Sequence, residues 1–207
     1  MAQSGIQRVS GAGERNTGEE QLPGGVELAR ISADGRSRTE AVVDAIPDPS
    51  SAAVVEFSFT RSPTRVREEW EKRHGSPPRD HCVVSVGGGP HGRTSRATED
   101  GSVAVSRVSP YDLTGMGMAW SDALDAVAGA DEVYVFFDSV TALLQYASEG
   151  ETFRFLHLLA RQATGAGARG RFLVDPAAHD PRTVNALSVA FDETVDLRRR
   201  DSAMTTP

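Results

Sequence analysis

Residues 132–146 read Glu132-Val133-Tyr134-Val135-Phe136-Phe137-Asp138-Ser139-Val140-Thr141-Ala142-Leu143-Leu144-Gln145-Tyr146. The near-continuous hydrophobic run from Val133 to Phe137 is rich in β-branched and aromatic side chains, the composition of a buried strand. It ends on a carboxylate, Asp138, and a hydroxyl, Ser139, and helical spacing follows from Val140 to Ala147. A buried strand that delivers a polar pair to its carboxyl end and then feeds a helix is half of a βαβ unit.

The same alternation extends in both directions. Upstream, strands are expected at Val26–Ile31, Ala53–Phe59, Cys82–Val86 and Val103–Val108, and helices at Thr39–Ile46, Pro63–His74 and Asp112–Val127. Ser62-Pro63 is a helix start, with serine as cap and proline in the first turn, and Val66 and Trp70 then share a face four residues apart. Downstream, Glu151–Ala163 carries a stripe of Phe153, Leu156, Leu159 and Ala160. A strand at Ala168–Val174, a helix at Asp180–Phe191 and a last strand at Glu193–Leu197 complete the series. The fold expected is α/β, a three-layer, mostly parallel sheet flanked by helices.

The 207 residues, 39% hydrophobic, suit one such domain of about 150 residues with unstructured ends. Residues 1–24, almost without hydrophobes, are expected to be a disordered arm, 25–199 the domain, and 200–207 a disordered tail. Glycines crowd residues 87–101, which read as a flexible loop. The net charge of −7 argues against a general nucleic-acid binder. Cys82 stands alone in a strand pattern, so no internal disulfide forms and a buried thiol is expected. There is no signal-peptide h-region near the N-terminus and no apolar run long enough to span a bilayer, which points to the cytoplasm. Lys72 is the only lysine, and with many acids and abundant Ala, Gly and Val this resembles the composition of a GC-rich, salt-adapted microbial proteome.

Parallel sheets bind ligands beyond the carboxyl ends of their strands. Asp138 sits at such an end, where a carboxylate either orients a hydrated Mg2+ ion or caps the next helix. Val133 to Tyr146 resembles the second nucleotide motif of RecA- and KaiC-type ATPases, and the likeness runs over roughly residues 25–199. SVTALLQY, FRFLHLLA and DPAAHD resemble most the uncharacterised KaiC-like proteins of halophilic archaea. That resemblance implies a RecA-like arrangement of the sheet and an ancestral site for ATP and Mg2+.

The site implied is degenerate. A working phosphate loop needs two glycines that let backbone amides wrap the phosphates, followed by Lys and a hydroxyl residue. At the corresponding place the chain reads Ser32-Ala33-Asp34-Gly35-Arg36-Ser37-Arg38-Thr39. Ser32 and Ser37 replace the glycines, and Arg38-Thr39 stand for Lys-Thr. Ser32, Gly35, Ser37, Arg38, Thr39, Asp138 and Ser139 are therefore vestigial nucleotide-binding candidates. After the second strand, Thr60 and Arg61 fall where the resemblance would put catalytic glutamates, so the general base is lost.

Other candidates are weaker. Asp175, His179 and Asp180 read as helix-starting residues rather than metal ligands, because Pro176 denies them helical spacing. Gly115-Met116-Gly117-Met118 reads as a close helix contact, His157 as a packed or surface histidine, and Arg198–Arg200 as a solvated end.

These features together imply a pseudo-ATPase without catalytic residues, cofactor or metal, acting on a protein partner or in a homo-oligomer as a regulatory or signalling protein. Two rivals stay open. One is a weak ATP-binding protein or slow ATPase using Arg38, Thr39 and Asp138 with Mg2+; the other is a DNA-linked or small-ligand adaptor using the glycine-rich loop and the arm.

Overall fold

The computed structural model describes residues 22, 24–31, 37–87, 94–97 and 103–197. Nearly all of the N-terminal arm, most of the 87–101 loop, the C-terminal tail, Ser32 and Gly35 lie outside the described residues. In chain order the elements are β1 (Val26–Ile31), α1 (Arg38–Val43), β2 (Ala53–Ser58), α2 (Pro63–His74), β3 (Asp80–Val86), β4 (Thr94–Ala97) and β5 (Val103–Val108). Then come α3 (Leu113–Ala126), β6 (Val133–Asp138), α4 (Val140–Leu143), α5 (Glu149–Gly165), β7 (Arg169–Val174), α6 (Pro181–Ser188) and β8 (Glu193–Leu197).

The eight strands form one sheet in the order β4-β5-β3-β2-β6-β7-β1-β8. Every pairing is parallel except β4 with β5. The fold is thus the three-layer α/β architecture expected. Helices α1 and α2 cover one face, where Val42, Val66 and Trp70 pack with Ala29, Val54 and Phe136. Helices α3, α5 and α6 cover the other, where Trp120, Leu156 and Leu187 meet Leu28, Phe57 and Phe137. Along β6 the pleat sends Val135 and Phe137 to the second face and Phe136 and Asp138 to the first. The second face is bound by a row of rings, Phe57 on Phe137 at 5.3 Å and Phe137 on Phe172 at 5.2 Å. Offset ring pairs of this kind add about 0.5–1.5 kcal/mol each beyond their burial. A Cβ on Gly170 would collide with Val135, so β6 and β7 pair closely only with glycine there.

Local chemistry explains the helix ends. Ser62 accepts from the Arg65 amide with Pro63 behind it, and Gly75 closes α2 at φ +84°. Cys82 is buried in β3 as expected, and burial raises its thiol pKa.

Three expectations need correction. The helix expected over Val140–Ala147 ends at Leu143, because Ser148 caps α5 with Glu151 in a capping box and needs a non-helical approach. β4 lies inside the stretch read as flexible loop; its Thr-Ser-Arg-Ala sequence has no apolar period, and antiparallel pairing with β5 alone makes it a strand. Leu22, read as part of the arm, is buried with the α1–α2 core.

Candidate functional site

The connections after β1 and β2 pass over the α1–α2 face, and those after β6 and β7 pass over the other. Neighbouring strands β2 and β6 therefore send their chains to opposite sides, which opens a crevice at their carboxyl ends. The three strand ends marked by the sequence converge there: Asp138 ends β6, Arg61 follows β2, and Arg38 opens α1 after β1. Ser58 pairs in register with Asp138, and the Phe59 amide donates to the Asp138 carbonyl at 2.9 Å. The Ser58 hydroxyl then accepts from the Arg61 amide and donates to the Arg61 carbonyl, both at 3.1 Å. That turn folds the Arg61 side chain back along the α1–α2 face.

The guanidinium of Arg61 is the centre of the site. Its Nη2 donates to Glu56 Oε1 at 2.5 Å and lies 3.2 Å from Asp138 Oδ2, while Nη1 donates to Glu69 Oε2 at 2.6 Å. The side chain is only 8% exposed. Glu56 lies wholly inside β2, where Trp70 Nε1 donates to its Oε2 at 3.3 Å and His81 Nε2 stands 3.5 Å away. Arg38 Nε approaches Asp138 Oδ1 at 3.8 Å from the mouth of the crevice.

The electrostatics follow from these contacts. Burial alone would push the Arg61 guanidinium down, but Glu56, Asp138 and Glu69 overcome it and hold the charge firmly in place. Burial likewise opposes the Glu56 carboxylate, yet Arg61, His81 and Trp70 outweigh it and keep its pKa below the ordinary value. Asp138 goes the other way. Burial raises its pKa, Arg61 and Arg38 compensate only in part, and the Glu56 charge adds to the rise. Neither Asp138 oxygen has a well-aligned hydrogen bond, so the Arg61 guanidinium, 3.2 Å away, holds the aspartate chiefly through its charge.

Such an arrangement does not fit a hydrated Mg2+ ion on Asp138. A guanidinium stands against one carboxylate oxygen and a second guanidinium approaches the other. Among the described residues no group of three or more His, Cys, Asp or Glu side chains is placed to hold a metal ion.

A family of unknown function, DUF7504, matches residues 32–197, most of the chain. The chain belongs to DUF7504. No curated protein matches it.

Within this DUF7504 domain the match takes in Arg38, Arg61 and Asp138 together. The remaining candidates take structural roles. Ser37 caps α1: its hydroxyl accepts from the Glu40 amide at 3.1 Å and its own amide donates to Glu40 Oε2 at 2.9 Å. The amide that would face a phosphate in a working loop is thus spent on a capping box. Thr39 lies in the first turn of α1, and Thr60 is exposed beside Arg61. Ser139, not Asp138, caps α4, accepting from the Ala142 amide at 3.1 Å; this leaves Asp138 to the crevice. Asp175 accepts from Ala177 and Asp180 from Arg182 as caps, the helix-starting roles expected of them. Gly117 meets the Phe155 ring where α3 approaches α5, and His157 stacks on Phe153 at the surface.

Sequence reading missed Glu56, Glu69 and His81. A signal for Glu56 was present: a lone carboxylate inside Ala53-Val54-Val55-Glu56-Phe57-Ser58 must find a cation if the strand is buried. Glu27 and Arg171 repeat the pattern on β1 and β7, paired at 2.5 Å, with Arg171 Nη1 donating to the Ala41 carbonyl at 2.8 Å. No helix among the described residues is long and apolar enough to cross a membrane.

Proposed function

We propose that this domain is a catalytically inactive relative of the RecA- and KaiC-type ATPases, acting in the cytoplasm as a regulatory or signalling protein through contacts with other proteins. The observation that carries the reading is the Arg61 guanidinium, 3.2 Å from Asp138 and 2.5 Å from Glu56. In an ATPase of that type the carboxylate at this strand end would orient hydrated Mg2+, and an acid after the neighbouring strand would activate water. Here the second position supplies a cation that neutralises the first. The same substitution removes the base and occupies the ground of the metal. Ser37, with its amide bound to Glu40, supports the reading from the phosphate side. Arg38, whose side chain is 35% exposed at the mouth, is the feature that favours the rival, a weak ATP-binding protein.

Phosphate release from Mg-ATP tests the inactive reading, with Asp138→Ala as control. The expected result is no release above buffer, unchanged in the variant. Hydrolysis that disappears in Asp138→Ala would overturn it.

A further inference from the structure

We draw no further inference here: the strongest candidate, the surface groove between α3 and α5 lined by Met118, Phe155 and Leu158, is a largely apolar face, and nothing in the structure shows what covers it.

Discussion

Nη2 of Arg61, beyond the end of β2, lies 3.2 Å from Oδ2 of Asp138, the last residue of β6. The contact is made possible by the parallel register that sets Ser58 beside Asp138 and by the Ser58 turn that folds Arg61 inward. It joins the one acidic strand end that the sequence marks as a metal-orienting position to the one residue whose charge has the opposite sign from the acid expected there. The end of β6 and the turn after β2 are thereby tied into one buried ion pair.

Removing the guanidinium should expose how much the core depends on it. Arg61→Met would leave Glu56 and Asp138, both buried, without their common counter-charge. Breaking a buried pair in this way costs about 3–5 kcal/mol. The loss should be largest at neutral pH and shrink in acid, because protonation of the two carboxylates then relieves the repulsion. Arg61→Met combined with Glu56→Gln and Asp138→Asn should recover most of the stability. Urea unfolding at pH 7 and pH 5 measures this; a loss independent of pH and unrepaired in the triple variant would contradict it.

Asp138 should behave oppositely to Glu56. Its folded-state pKa is raised above that of the unfolded chain, chiefly by burial. Stability linked to such a carboxyl is fully present below the unfolded pKa and is lost as pH rises through the folded one. Asp138→Asn should therefore melt higher than the wild type at pH 7, with the difference closing as pH falls. Glu56→Gln should melt lower at pH 7, since its depressed pKa contributes stability above the unfolded value that is lost as pH falls through the folded one. Thermal melts of both variants across pH 3–8 should show differences of opposite sign; the same sign for both would contradict the assignment.

How much of this was legible beforehand depends on the kind of signal. Val133–Phe137, Ala53–Phe57 and Leu156–Leu159 declare their elements because period and apolar content agree, and parallel pairing follows from the alternation of strands with helices. Asp138 and Arg61 were legible as positions, but their contact was not: it depends on β2 and β6 being neighbours, and no local pattern encodes that. Glu69, on α2, reads as one of several solvated charges, and only packing of α2 on β2 turns it toward Arg61. β4 was illegible because its pairing with β5, and not its own side chains, makes it a strand. Ser37 was read from its resemblance to a phosphate-loop position, while the Glu40 three residues later already spelled a capping box.

Calorimetric titration of the full chain with ATP and Mg2+, at low and high salt, tests the central claim most directly. With Arg61 on Asp138 and the Ser37 amide bound to Glu40, the prediction is no saturable heat even at millimolar nucleotide. Saturable binding at micromolar nucleotide that requires Mg2+ and is lost in Asp138→Ala would show that the crevice still holds a metal–phosphate complex, and would contradict the account.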